Sequence, residues 1–124
     1  DVLMKGLIGS DVYMRLLLDK EKGLLPKKGV LSHLAVMEVA TYPKLLFVSD
    51  VAVIPSPDLS QKVAMLKYDI ETAHRFGIEQ PKASIIAATE KVSDKMPATT
   101  DAAVISKMAD RGQIKGAVVD GPLA

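Results

Sequence analysis

The sequence predicts an α/β fold in which a mixed, mostly parallel sheet carries flanking helices. Three patterns predict it. Short apolar runs of strand length alternate with stripes of helical spacing through the second half of the chain, the arrangement that lays helices over parallel strands. In the first half, two runs rich in apolar and β-branched residues, separated by Thr41-Tyr42-Pro43-Lys44, read as one antiparallel hairpin. The chain has 124 residues, 48% hydrophobic and 25% charged, which is enough apolar mass for one core.

From the amino end, Val2 to Met4 and Leu7-Ile8 flank Lys5-Gly6 and are too short for a helix, so they read as a strand running into a Gly-rich turn. Ser10-Asp11 reads as a helix start. Met14, Leu17 and Leu18 follow at i, i+3, i+4, and Gly23 closes a helix over residues 10 to 22. Leu31 to Val39 and Leu45 to Val48 are the strands of the hairpin. Ser56-Pro57-Asp58 is the clearest helix start: Ser caps, Pro suits the first helical position, and Asp favours the positive end of the dipole. Leu59, Val63, Leu66, Ile70 and Ala73 then form an apolar stripe on a helix over 57 to 76, stopped by Gly77. Ala83 to Ala88 reads as a strand, Ala98 to Arg111 as a helix ended by Gly112, and Ala117 to Val119 as a strand.

Composition narrows the function. Sixteen Lys+Arg against fifteen Asp+Glu leave a net charge of +1 with the basic residues scattered, so nucleic acid is not an expected partner. No apolar run approaches the roughly 18 residues that span a bilayer, and no membrane association is expected. The absence of cysteine excludes a disulfide scaffold, a thiolate metal site and a cysteine nucleophile, and a cytoplasmic location is the expectation. The two histidines, His33 and His74, lack metal-ligand spacing, so no metal site is expected. The chain opens on Asp1 rather than Met and stops soon after an apolar run, which reads as a piece of a longer polypeptide.

A few residues are placed for chemistry. The turn Lys5-Gly6-Leu7-Ile8-Gly9-Ser10 joins a predicted strand to a helix start, where free backbone N–H groups, the dipole and a lysine attract an anion such as phosphate. It matches neither a nucleotide P-loop nor a dinucleotide fingerprint, and the alternative is a tight Gly turn with Ser10 as a simple cap. Asp50 and Asp120 end predicted strands, where open α/β sheets gather ligands, although either carboxylate, and Gly121 after the second, also suits a turn. Lys95 precedes a helix start and adds to an anion site there, or is simply solvated. His74 near a helix C-terminus suits the dipole, and the neighbouring Ser32 and His33 are no dyad because adjacent strand residues face opposite ways.

The run Asp1-Val2-Leu3-Met4-Lys5-Gly6 with Ser10, then Leu31 to Val36, Leu46-Phe47-Val48-Ser49-Asp50, Lys107 to Gly116 and Asp120-Gly121-Pro122-Leu123-Ala124, resembles the phosphate acetyl/butyryltransferase family in order and interval, and its butyryl-type branch most nearly. Members are about twice this length or more, so the resemblance makes residues 1-124 an interior segment spanning parts of both lobes of the full enzyme. It implies an acyltransferase that moves a butyryl- or acetyl-type group between coenzyme A and inorganic phosphate, acyl-CoA + phosphate = CoA + acyl phosphate. Coenzyme A is then a substrate, no cofactor is permanently bound, and the full-length protein is a homo-oligomer. The implied fold is like that of isocitrate and isopropylmalate dehydrogenases, with two lobes around a cleft. Lys5, Gly6, Gly9 and Ser10 fall on the phosphate-side turn, and Asp50, Lys95, Asp120 and Gly121 are cleft candidates. Two departures stand out: Val51 replaces the cysteine common in acetyltransferases, and Ser10 replaces a usual Thr. The family's Ser-Arg segment with its following Asp has no counterpart in these residues, so the catalytic residues are unassigned and the 124-residue piece alone is expected to be inactive. A non-catalytic anion- or nucleotide-binding α/β module is the alternative. A dehydrogenase of the shared superfamily would need metal-binding aspartates that are not found.

Overall fold

A computed structural model describes residues 2–124; Asp1, which opens the first of the family-like motifs, lies outside the described residues. The chain forms two compact units, Asp1–Leu31 and Ser32–Ala124. The first contains one helix, α1 (Ser10–Leu17). The strand expected at residues 2 to 4 does not form: a strand is held by a ladder with a neighbour, and the described residues of this unit include no second strand to pair with. α1 ends at Leu17 rather than near residue 22 because Asp19 diverts the chain. Its Oδ1 accepts the backbone N–H groups of Glu21 (2.9 Å) and Lys22 (2.7 Å), donors that a continuing helix would need. Gly23 closes this turn instead of the helix, donating to the Asp19 carbonyl at 3.0 Å. At the other end the N-cap is Gly9, and Ser10 is the first helical residue, so the expected serine cap is absent.

In the second unit the hairpin forms, shortened to β1 (Ala35–Met37) and β2 (Leu46–Val48), with Ala35 opposite Val48 and Met37 opposite Leu46. Phe47 meets Phe76 edge to face at 5.4 Å, which ties β2 to the end of α2 (Leu59–Arg75). That helix begins two residues later than the Ser-Pro pair suggests. Asp58 is the N-cap, accepting the Gln61 N–H at 2.8 Å while Gln61 Oε1 accepts the Asp58 N–H at 2.9 Å. This reciprocal box satisfies two donors at once, which Ser56 alone cannot do. Gly77, at φ +82°, ends α2 in the left-handed conformation that glycine adopts freely, and Ile78 donates to the Ala73 carbonyl at 3.1 Å.

β3 (Lys82–Ile86), α3 (Pro97–Asp110, with Pro97 in the first turn) and β4 (Val118–Leu123) make a βαβ unit whose strands pair in parallel, Lys82 to Val118 and Ser84 to Asp120, with an irregularity before Ile86 meets Leu123. The single mixed sheet expected from the sequence is instead two separate two-stranded sheets, one antiparallel and one parallel. Apolar periodicity identifies a strand but does not name its neighbour, and the hairpin strands bond to each other.

The expected helical stripe lines the core: Leu66, Ile70 and Ala73 are buried on α2. Leu66 and Ile70 cluster with Ile105, Ile114 and Val119. Ile105 and Thr99 are fully buried on α3. The Thr99 hydroxyl accepts the Ser93 N–H at 2.9 Å and lies 2.8 Å from the Met96 carbonyl and 3.1 Å from that of Ser93, so its polar group is satisfied by the loop before the helix. Lys62 on α2 pairs with Asp101 on α3 at 2.6 Å.

Ile105→Ala removes three carbons from a closed site. It is expected to cost about 2–5 kcal/mol, and Ile105→Val about 0.5–1.5 kcal/mol, read as lowered urea midpoints at unchanged m. Equal losses in the two variants would mean that cavity formation is not what destabilises.

Candidate functional site

The predicted anion turn lies in the first unit. Neither Gly6 nor Gly9 has a positive φ; Gly9 sits at φ −59°, ψ 142°. A Cβ at Gly6 would meet nothing within 4 Å, whereas one at Gly9 would meet Asp11 Oδ1 at 2.7 Å. Gly6 therefore leaves open space beside the backbone, Gly9 makes room for the Asp11 side chain, and neither serves a left-handed turn. Lys5 Nζ donates weakly to the neighbouring Gly6 carbonyl at 3.4 Å, and the Ser10 hydroxyl has no hydrogen-bond partner among the described residues. Leu7 and Ile8 are exposed. Asp11 already stands in the first turn of α1, so a negative group is present where an anion would be attracted.

In the second unit, the carboxyl end of β2 carries Ser49 and Asp50. The Asp50 carboxylate is fully engaged: Oδ1 accepts the N–H groups of Ala52 (2.8 Å) and Val53 (2.9 Å), and Oδ2 accepts that of Ile54 (3.1 Å). Burial pushes this carboxyl up, but the backbone donors of Val53, Ala52, Ile54 and His33 outweigh it and hold Asp50 below its ordinary value. Beside it, the Ser49 hydroxyl donates to Asp69 Oδ2 at 2.5 Å, while Asp69 Oδ1 is buried with no partner. Burial raises the Asp69 carboxyl, the Ser49 bond opposes that, and the Asp50 charge adds to the rise. The sequence reading passed over this pair. A signal existed, since Asp69 lies three residues after Leu66 and four before Ala73, a carboxylate on the apolar stripe of α2.

The remaining candidates belong to the βαβ unit. Lys95 is exposed in the loop between β3 and α3, beyond the carboxyl end of β3, and its backbone N–H reaches Ser93 Oγ at 3.3 Å. Asp120 does not end its strand, as expected from sequence, but lies within β4, which continues to Leu123 because Pro122 and Leu123 extend past the irregular register. It is exposed, and its Oδ1 accepts the next residue's N–H at 2.8 Å. At Gly121 a Cβ would stand 2.8 Å from Ile85 Cβ and 3.3 Å from Ala102 Cβ, so only glycine lets the strand approach β3 and α3 so closely. The Ser49-Asp50 and Gly121-Pro122 peptides are both cis. His74 Nε2 lies 2.8 Å from the Gly116 carbonyl and anchors the segment before β4, while His33 is exposed and accepts the Val51 N–H at its carbonyl (3.3 Å). An open groove of about 400 Å³ beside α2, lined by Lys67, Glu71, His74, Gln113 and Lys115, includes none of the anion-turn or cleft candidates. No described helix is long and apolar enough to cross a membrane.

Lys5, Gly6, Gly9 and Ser10 thus belong to one unit and Asp50, Lys95, Asp120 and Gly121 to the other. Within the second, Asp50 is brought together with Ser49 and Asp69, and Gly121 with the β3–α3 packing.

Comparison with known proteins adds identity to this geometry. The chain is 48% identical over 124 residues to a phosphate butyryltransferase of Clostridium acetobutylicum, covering all of this chain and 41% of that protein. It is 44% identical, again over its whole length, to a phosphate acetyltransferase of Thermotoga maritima, of which it covers 42%. A solved branched-chain phosphotransacylase from Enterococcus faecalis V583 superposes with a TM-score of 0.81 at 27% identity, over 96% of this chain and 42% of that one. The chain therefore spans about two fifths of the length of these relatives. The profile of one family, described as Phosphate acetyl/butaryl transferase, matches residues 1–124, and the chain belongs to that family.

Proposed function

We propose that the protein, in its complete form, transfers a butyryl- or acetyl-type acyl group between coenzyme A and inorganic phosphate. The observation that carries this reading is the correspondence of the whole chain to proteins named phosphate butyryltransferase and phosphate acetyltransferase. In the direction of acyl-CoA synthesis the thiol of coenzyme A loses its proton, the thiolate adds to the carbonyl of the acyl phosphate, and phosphate leaves. The groups needed are a proton acceptor, donors for the developing oxyanion, and cations or N–H groups for the phosphate. The turn from Lys5 to Ser10 supplies the last of these: an ammonium, a hydroxyl without an internal partner, and the free N–H groups at the start of α1.

In the same reading Asp50, Lys95, Asp120 and Gly121 border the cleft, and the chain contributes to both lobes of an enzyme with an isocitrate/isopropylmalate dehydrogenase-like fold. The parallel β3–α3–β4 unit is the element from which such sheets are built. Coenzyme A is a substrate, the cytoplasm the working compartment, and a homo-oligomer the working form.

Incubation of the complete protein with butyryl-CoA and phosphate is expected to release free thiol and form butyryl phosphate; thiol release that does not depend on phosphate would overturn the transfer reading in favour of hydrolysis. The 124-residue polypeptide alone, spanning two fifths of its relatives, is expected to give no sustained turnover.

A charge-assisted hydrogen bond is worth about 1.5–3 kcal/mol, so Lys5→Ala is expected to weaken phosphate binding by about one to two orders of magnitude with coenzyme A much less affected, and Ser10→Ala to weaken it in the same direction. Apparent affinities for the two substrates, measured separately in each variant with melting as the folding control, check this. Phosphate affinity within about twofold of the parent in both variants would return the turn to a capping and packing role.

A further inference from the structure

We propose that Asp69 is a positioning residue for the transfer reaction, acting through the Ser49 hydroxyl to fix the carboxyl end of β2 and the turn of residues 50 to 54. The inference rests on the acyltransferase reading for its catalytic consequence, but its geometry stands apart. β2 is only three residues long, and a strand so short has little hydrogen-bonding of its own to hold its end in place. This strand and its exit contact α2 and its C-terminal end through a ring pair and a hydrogen bond. The Phe47–Phe76 ring contact holds the strand itself, and the 2.5 Å bond from Ser49 to Asp69 holds the residue after it. Immediately beyond, the Asp50 carboxylate gathers the N–H groups of Ala52, Val53 and Ile54. The Ser49 bond therefore ties that turn to α2, while the Val51 N–H bond to the His33 carbonyl (3.3 Å) ties it to the segment before β1. Asp50 does not anchor it to α2, because its oxygens are taken up by its own turn and by the His33 backbone.

Asp69 is an unusual choice for a purely structural contact. One carboxylate oxygen is buried without a partner, and no cation pairs with the group among the described residues. The charged group acting on it is Asp50, which repels a second negative charge, and Ser49 is the polar group facing it. Burial and the Asp50 charge make this carboxyl easier to protonate than an ordinary aspartate, and at 2.5 Å the contact serves in either direction: Ser49 donates to the carboxylate, or a proton on Oδ2 is donated to Ser49 Oγ. In the second state the Ser49 hydroxyl proton is released to face another acceptor at the strand end. The bond thus survives protonation while the donor role of Ser49 changes, which is what distinguishes a positioning acid from inert packing.

The linkage has a definite sign. The folded-state value of Asp69 is raised, so its contribution to stability is fully present below the ordinary value of 3.8 and is lost as pH rises through the raised value. Asp69→Asn, which keeps one hydrogen bond to Ser49 and carries no charge, is expected to gain stability relative to the parent as pH rises across that range.

The test uses the complete protein with Asp69→Ala, Ser49→Ala, the double variant and Asp69→Asn, and two independent readouts. Hydrogen exchange of the Ala52, Val53 and Ile54 amides is expected to quicken about tenfold or more in both alanine variants, with the double variant no worse than either single. Turnover of butyryl-CoA with phosphate is expected to fall about ten- to hundredfold in kcat with smaller changes in KM, and Asp69→Asn to recover most of it. Exchange unchanged within about twofold, or single effects that multiply in the double variant, would overturn the positioning role. Should Asp69→Ala not fold, Ser49→Ala, which removes one oxygen, decides by the same exchange readout. A parent protein without transfer activity would overturn the acyltransferase reading, and the exchange data would still decide the Ser49–Asp69 link.

Discussion

The second unit depends on α3 closing over the parallel pair of β3 and β4. Two parallel strands cannot be joined by a tight turn and need a crossover, and here the crossover helix is also the centre of the core. Ile105 on its inner face is completely removed from water, packed with Leu66 and Ile70 from α2 and with Ile114 and Val119 around β4. Gly121 is bare because Ala102 and Ile85 come too close for a side chain. At the start of the helix, Thr99 is as deeply buried as Ile105, and its hydroxyl binds the loop that delivers the chain from β3. That one helix thereby fixes the spacing of the strands, the approach of β4 and the path of the loop carrying Lys95.

Carboxylates do the equivalent work at the chain's corners, by two opposite electrostatic routes. Asp19, Asp50 and Asp58 each collect backbone N–H groups, and all three are held below the ordinary aspartate value. Their stabilisation is present above 3.8 and is lost as pH falls through their lowered values. Asp69 takes a hydroxyl in place of amides, leaves one oxygen unsatisfied, and is raised. On acidification the fold accordingly loses its turn and cap carboxylates while this one group works in the other direction.

This contrast explains what was readable in the sequence and what was not. The stripe of Leu66, Ile70 and Ala73 announced the main helix because burial of one face imposes a period, and the glycine after it announced its end because few other residues take φ +82°. Local side-chain bonds left weaker marks. Asp19 shortened α1, and the Asp58–Gln61 box displaced the Ser-Pro start, through hydrogen bonds whose winner depends on geometry that spacing alone does not rank. The hairpin pair could be read across its short connection, but whether it joined the parallel strands could not, which is why one expected sheet became two. The family resemblance, carried by motifs distributed along the chain, survived these local errors, since it did not depend on any one boundary.

The same electrostatics sorts the carboxylates as proton acceptors for the proposed transfer. A base that takes a thiol proton near neutrality works best with a pKa close to the working pH and with a free lone pair. Asp50 fails on both counts: its oxygens hold three backbone donors, and those donors keep its value low. It belongs to the architecture of the strand end rather than to proton transfer. Asp69 moves in the useful direction, but its oxygens lie against Ser49 and in the interior, so it reaches a substrate only by way of Ser49. Asp120 is exposed and spends one oxygen on the adjacent Gly121 N–H, leaving the other open to the solvent side of β4. For the proposed phosphate site, the net charge of +1 over these 124 residues adds little long-range attraction, so local donors would have to supply the affinity, and the Ser10 hydroxyl and Lys5 ammonium would have to overcome Asp11, the residue after Ser10. On the proposed reading, anion binding at this turn would be a balance between a helix start and its own first-turn carboxylate, with Lys5 supplying the cation.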